Sequence, residues 1–269
     1  MIKLSPVSLL REIASKFGLS VRDKVNSLPN NANDAKLKTL KDCHRGRRAV
    51  IIGNGPSLSV SDLDQLKNEI TFASNKIYLA FDETDWRPTY LTVTDTVVAE
   101  NIQEYLEHSN LCKIFGHGAF QYFKNSKDII FGNPPSITVD SLQWDLVGGV
   151  STGHSVLYWD LELAFWMGIR EIYAIGLDFS FDVGSKPTGE KAMGNDVLVA
   201  AGEVNHFHPD YRPKGEIWTM PKMDEQREDF RFALEKYQLD GGMIYNASRK
   251  TKLDVWPRVE FDDVFGVLR

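Results

Sequence analysis

The chain has 269 residues, 42% of them hydrophobic and 25% charged, with a net charge of −6. That length supports one large domain with room for an appendage or a lid, and the acidic balance argues against a general nucleic-acid binder. Two cysteines, Cys43 and Cys112, give neither a disulfide framework nor metal-ligand spacing, which fits a reducing compartment.

The first residues lack the apolar core of a signal peptide, and no apolar run reaches transmembrane length. The expected location is therefore the cytoplasm, with any membrane contact peripheral, at the inner face. Residues 1–45 read as a helical N-terminal appendage. Leu9, Leu10, Ile13 and Phe17 recur at helical spacing, and residues 35–42 are helix-compatible after a polar break at 29–33. Such a pair packs on a domain edge, or lays a basic amphipathic foot on a membrane or partner. Lys36, Lys38, Lys41, Arg45, Arg47 and Arg48 make this approach basic.

Residues 46–269 read as a single α/β domain organised around residues 48–58. Ala49, Val50, Ile51 and Ile52 have the continuous apolarity of a buried parallel strand. Gly53-Asn54-Gly55 allows a tight turn, Pro56 suits a first helical position, and Ser57, Ser59 and Ser61 offer N-cap oxygens. Strand, turn and helix N-terminus together form the place where α/β proteins hold phosphates. The dinucleotide fingerprint is absent, because Pro56 follows the second glycine and Leu58 stands where the third belongs.

Further along, residues 58–67 predict a helix, 70–74 and 90–94 predict strands, and 97–108 a helix. Short strands follow at 112–115 and 128–131. A small-residue loop, Gly148 to Gly153, leads into an apolar helix over 154–167 and a buried strand over 171–176. From 180 to 221 the apolar period disappears and glycines and prolines punctuate a long lid loop. An amphipathic helix over 222–238, a last strand at 243–245 and a tail that packs back complete the chain. The expected fold is a doubly wound, mostly parallel Rossmann-like sheet with a lid at 180–221.

Ligands of such sheets sit beyond the carboxyl ends of the strands. Those ends carry Asn54, Gly55, Ser57, Asn75, Asp95, the Ser151-Thr152-Gly153 loop and Asp178, short groups suited to a base, ribose or phosphate. The lid adds His206 and His208, with Tyr211 following. Neutral-range imidazoles in a closing loop suit a general base, and no third ligand completes a metal site around them. A phosphate-binding Gly-x-x-x-x-Gly-Lys loop, a nucleophile elbow and an Asp-x-Asp for metal-held pyrophosphate are all missing.

Val50-Ile-Ile-Gly-Asn-Gly-Pro-Ser-Leu58 resembles the opening of the bacterial sialyltransferases of glycosyltransferase family 42. Phe72-Ala-Ser-Asn-Lys-Ile-Tyr78, Ser151-Thr-Gly153, Glu171-Ile-Tyr-Ala-Ile-Gly-Leu-Asp-Phe179 and Ile244-Tyr-Asn-Ala-Ser248 are similar to later blocks of that family. The same blocks resemble a broader group of motility-associated flagellin glycosyltransferases and 6-hydroxymethylpterin diphosphokinase-like proteins. The string Asn205 to Tyr211 looks closer to that group. The resemblance implies an inverting transfer of a nonulosonic acid from a CMP donor to a bacterial glycan or glycoprotein, with no metal and no other cofactor. It implies that Asn54, Asn75 and the 151–153 loop hold CMP, that Asp95 falls near another nucleotide contact, and that a lid histidine is the base. Tyr211 stands as a candidate for the lid tyrosines that assist the phosphate. Two alternatives stay open: ATP- and Mg²⁺-dependent pyrophosphoryl transfer to a hydroxymethylpterin, with Asp95 and Asp178 as carboxylates, and a non-catalytic nucleotide-binding partner in glycan assembly. The oligomeric state, a homo-oligomer included, is left open too.

Overall fold

The computed structural model describes residues 30–123, 128–134, 144–149, 151, 153–182, 186–192 and 195–266. The expected helix around Leu9 to Phe17, and Thr152, lie outside them. Seven parallel strands form the main sheet: β1 (Arg48–Ile52), β2 (Ile70–Ser74), β3 (Tyr90–Val93), β4 (Lys113–Phe115), β5 (Ile129–Phe131), β6 (Glu171–Ile175) and β10 (Met243–Asn246). Their order is β10-β6-β1-β2-β3-β4-β5. The chain winds outward from β1 to β5, then returns to place β6 on the other side of β1. The topological switch point therefore lies between β1 and β6.

Both faces of the sheet are covered, which is why its strands read as apolar runs rather than alternating ones. On one face Ala49, Ile51 and Phe72 pack with α5 (Val156–Trp166) and α6 (Met223–Leu239). On the other, Val50, Ile52, Ala73 and Leu91 meet the short helices α2 (Val60–Asp64), α3 (Thr96–Asn101), α4 (Gln103–Glu107) and α7 (Phe261–Phe265). The helix expected over 97–108 is two pieces broken at Ile102, whose ψ of 8° leaves the helical region. The expected tail does pack back: Leu253, Trp256 and Phe261 are buried, and the Trp256 indole donates to the Phe230 carbonyl at 2.9 Å.

Residues 30–33 of the polar break expected at 29–33 are instead the first turn of α1 (Asn30–Leu40). Asn33 is the reason. Its amide donates to the Phe131 carbonyl at 2.7 Å and its oxygen accepts from the Phe131 N–H at 2.9 Å, so one side chain closes the open edge of β5.

The lid carries more order than the loop expected from its composition. β7 (Lys186–Ala192), β8 (Asn195–Val199) and β9 (Ile217–Thr219) form a separate antiparallel sheet. Among the described residues its core is Leu198, Ala200 and Trp218 with Phe181 beside them, too few to give an apolar period. Four contacts fasten this unit over the carboxyl ends of the main strands. Phe207 N–H donates to the Asn54 carbonyl at 2.9 Å, Lys76 pairs with Glu216 at 2.5 Å, Thr219 donates to Asp95, and Asn101 reaches the Ile217 carbonyl at 3.3 Å.

Candidate functional site

The loops leaving β1 and β6 cross at very close range. A Cβ at Gly53 would lie 2.5 Å from the Gly176 carbonyl oxygen, and one at Gly55 would lie 2.1 Å from Asp178 Oδ2. Glycine at these positions lets Gly53 N–H and Gly55 N–H donate to Ile175 and Gly176, each at 2.8 Å. The switch-point crevice is thereby stitched shut at its base and open above. Phe179, at the crevice, holds a left-handed φ of 51°, a costly conformation for a bulky residue of the kind that concentrates at functional sites.

Ser57 and Asp178, expected to face a ligand, face each other. The Ser57 N–H and hydroxyl both donate to Asp178 Oδ2, at 3.0 and 2.7 Å. Pro56 and Ser57 lie in a turn, and α2 starts only at Val60 and runs five residues. Ser59 makes no side-chain cap; its hydroxyl pairs with that of Ser61 at 2.7 Å. The phosphate-binding helix N-terminus expected at the end of β1 is therefore not formed there.

Asn54 and Asn75 occupy the ends of adjacent strands and both line the cleft. Asn54 Nδ2 donates to the Ser74 carbonyl at 3.1 Å, while its Oδ1 is buried without a partner among the described residues. Asn75 adopts a φ of 55°, tolerable for asparagine, and its Oδ1 is likewise buried and unpartnered. Buried acceptors rarely stay unsatisfied, so two in one cleft call for donors from a ligand or from water. Asp95 has a structural task. It caps α3 through Val97 N–H (2.7 Å) and Val98 N–H (3.3 Å), and its other oxygen accepts from Thr219. Ser151 accepts from the Gly153 N–H at 3.3 Å and does not line the cleft, whereas Gly153 does.

The lid brings one of its two histidines to the cleft. The His206 ring stacks on Tyr211 with centroids 3.8 Å apart and planes at 6°. Its Nδ1 lies 2.9 Å from Glu203 Oε2, a close contact without hydrogen-bond alignment. Burial lowers the His206 pKa; Glu203 works against that and Arg212 with it, so the ring is neutral near pH 7. Tyr211 also lines the cleft, and burial raises its phenol pKa far above the usual value, so it is a neutral group held by Asn75 and the Lys76 backbone. His208 does not reach the cleft. Its Nδ1 accepts from the Asp210 N–H at 3.1 Å, which fixes the turn of the lid.

Two cleft groups escaped the sequence reading. His154 lines the lid side of the cleft and is held by α6. Asp229 Oδ2 accepts from its backbone N–H at 2.8 Å and lies 3.0 Å from its Nδ1, while Gln226 donates to its carbonyl at 2.9 Å. The Asp229 hydrogen bond raises the His154 pKa, against the pull of burial. Arg212 lines the same side, with its guanidinium 3.7 Å above the Trp218 ring. The cavity measures about 150 Å³ on the sheet side of the cleft and about 210 Å³ on the lid side, with Asn75 and His206 common to both.

No helix among the described residues is long and apolar enough to cross a membrane, and no described group of three or more His, Cys, Asp or Glu side chains gathers as metal ligands would. No curated protein matches the sequence. Among solved structures, the fold is similar to that of MAf glycosyltransferase from Magnetospirillum magneticum AMB-1, with a TM-score of 0.51 at 13% identity. That match covers 96% of this chain and 43% of the other, so the chain spans less than half of that protein. A weaker likeness, with a TM-score of 0.43 at 13% identity, relates 80% of the chain to 85% of the sialyltransferase CstII from Campylobacter jejuni, solved with the substrate analogue cytidine-5'-monophosphate. The profile of one family, described as 6-hydroxymethylpterin diphosphokinase MptE-like, matches residues 23–184, from before α1 through the end of β6 and the crevice. With more than half of its length matched, the chain belongs to that MptE-like family.

Proposed function

We propose that this protein is an inverting, metal-independent glycosyltransferase that moves a nonulosonic acid from a CMP donor to a surface glycan or glycoprotein, with His206 as general base. The observation that carries this reading is the conjunction, in one cleft, of two unpartnered acceptors and a neutral imidazole. Asn54 and Asn75 offer oxygens to the amino and hydroxyl donors of a nucleoside. In the displacement, the acceptor hydroxyl gives its proton to His206 as its oxygen bonds to the anomeric carbon. The bond from that carbon to the phosphate oxygen breaks, and its electron pair leaves with CMP. The single phosphate of CMP carries the departing charge, which hydrogen-bond donors and cations stabilise without a metal. The motifs shared with sialyltransferases and the fold shared with a MAf glycosyltransferase support the same reading. The donor chemistry would place the work in the cytoplasm, where nucleotide-activated sugars are spent.

The family description favours a second reading, pyrophosphoryl transfer from ATP to a hydroxymethylpterin. That chemistry draws on Mg²⁺ held by carboxylates. Asp95 and Asp178 are the available pair, and both already accept hydrogen bonds from Val97, Val98, Thr219 and Ser57, so they do not fit a free hard-cation site.

A thermal-shift comparison of CMP, UDP, GDP and ATP, each with EDTA or Mg²⁺, separates the readings. A ligand at a hundred times its Kd stabilises by about 2.7 kcal/mol. Stabilisation by CMP in EDTA, followed by CMP release from a CMP-nonulosonate, is the expected result. A response only to ATP with Mg²⁺ establishes the diphosphokinase reading instead. CMP binding with no turnover of any CMP-sugar leaves a nucleotide-binding partner.

A further inference from the structure

The acids that surround Arg212 are turned to other groups. Glu203 accepts from the Asn205 N–H through Oε1 and has Oε2 2.9 Å from His206 Nδ1, Glu216 pairs with Lys76 at 2.5 Å, and Asp95 caps α3 and accepts from Thr219. These carboxylates influence the guanidinium at a distance, and among the described residues none forms an ion pair with it. Arg212 is partly buried, and its ring contact with Trp218 fixes the plane of its donor fork without using the donors. A guanidinium withdrawn from water with its N–H groups uncommitted is completed by an anion. Across the same cavity, His154 turns Nδ1 to Asp229, and its Nε2 makes no hydrogen bond among the described residues. Gln226, whose amide holds the His154 carbonyl, closes that wall.

We propose that Arg212 and His154 form an oxyanion subsite on the lid side of the cleft, taking a carboxylate or phosphate group of the donor. The proposal rests on the cleft being the donor site. Arg212 supplies a bidentate fork and His154, in the imidazolium form that the Asp229 carboxylate favours, a single Nε2–H donor, an arrangement suited to the planar carboxylate of a nonulosonic acid or to two oxygens of a phosphate.

The test is calorimetric titration of the full chain and its Arg212→Met, Arg212→Lys and His154→Gln variants with inorganic pyrophosphate, CMP and CMP-N-acetylneuraminate. Methionine keeps apolar packing over Trp218 and removes the charge. Circular dichroism and melting verify that each variant folds, and Arg212→Lys, which keeps the charge but not the fork, recovers part of any loss. The expected result is about 10–100-fold weaker binding in Arg212→Met, the scale of a lost charged hydrogen bond or two, with a smaller loss in His154→Gln. A loss for CMP and pyrophosphate alike identifies the phosphate. A loss confined to CMP-N-acetylneuraminate identifies the carboxylate. Unchanged affinity in folded Arg212→Met for every probe that wild type binds overturns the subsite. Arg212-dependent binding of pyrophosphate without any binding of CMP keeps the subsite and sinks the CMP donor, and a wild type that binds no probe overturns both.

Discussion

Asp160 tests the physical reasoning most sharply, because it is a carboxyl group where the fold has no use for a charge. It lies on α5 with no exposed surface, and neither carboxyl oxygen has a hydrogen-bond partner among the described residues. Burial pushes its pKa from 3.8 up to about 8; the nearby Thr92 hydroxyl eases this, although that hydroxyl donates to the Ala73 carbonyl at 3.4 Å. The folded-state pKa is raised, so the native state keeps a proton that the unfolded chain releases above about pH 4. Stability from this group is complete below the unfolded value and is lost as pH rises toward 8. Each pH unit in that window costs about 1.4 kcal/mol, so from pH 5 to pH 8 the loss is about 4 kcal/mol. Asp160→Asn keeps the shape and removes the titration. Urea unfolding of both proteins at half-unit steps from pH 5 to 8.5 gives a difference that cancels other groups, including Glu162, which burial and Asp229 also push up. The variant's advantage is expected to grow by about 4 kcal/mol across the window. A difference that stays within about 1 kcal/mol would refute the claim that this carboxyl is buried and protonated.

Four further outcomes follow from the geometry. His206→Asn lowers kcat by at least about 100-fold while leaving the CMP melting shift in place, and His208→Asn changes kcat little, since only His206 lines the cleft. Burial holds the His206 pKa below 6.5, so kcat/KM of wild type falls on the acid side with its midpoint below pH 6.5; a midpoint above 7 would assign the base elsewhere. Gly55→Ala drives a Cβ toward Asp178 Oδ2 at 2.1 Å and the Gly176 carbonyl at 2.7 Å, costing about 1–3 kcal/mol in a melt and abolishing the CMP shift. Adding Asp178→Ala does not rescue it, because the backbone contact remains. Glu216→Gln strands the buried Lys76 ammonium and costs about 3 kcal/mol, concentrated in the lid, so limited proteolysis cuts within 186–219 in the variant before wild type; equal cutting counts against the pair as the lid's anchor.

The strands and their ends were legible because a sheet covered on both faces writes itself as short apolar runs stopped by glycine, asparagine or aspartate. That pattern pointed to Asn54 and Asn75, and the structure places both at strand ends lining the crevice between β1 and β6. It did not distinguish a ligand-facing oxygen from one spent internally. Ser57 and Asp178 satisfy each other across 121 residues of sequence, and Asp95 is spent on a helix cap and on the lid. Pairings of that span leave no local signal. The opposite error occurs on α6, where Gln226 and Asp229 look like the solvated face of an amphipathic helix and instead hold His154 at the cleft. Arg212 was hidden because the lid sheet is too small to impose a period, so its contact with Trp218 has no signature. Asn33 read as a break because asparagine is a poor helix former, and its bonds to Phe131 outweigh that preference.

The two halves of the cleft differ in what they offer, and the difference orients a donor. The sheet side presents acceptors, the oxygens of Asn54 and Asn75. The lid side presents Arg212 and His154, and its one carboxylate, Asp95, is turned to the α3 cap and to Thr219. His206 and Asn75 belong to both. On the proposed reading the nucleoside lies against the sheet and the anionic groups under the lid. The anomeric carbon of a nonulosonic acid bears both its carboxylate and the bond to phosphate, so anion subsite and reacting carbon cannot be far apart. The base must then stand at the border of the two halves, where His206 is and His208 is not. A diphosphokinase places different demands on the same space, since a triphosphate spreads its charge along several phosphates and a pterin brings none. One oxyanion subsite next to one neutral base matches the compact charge of a CMP-linked acid better than the extended charge of ATP.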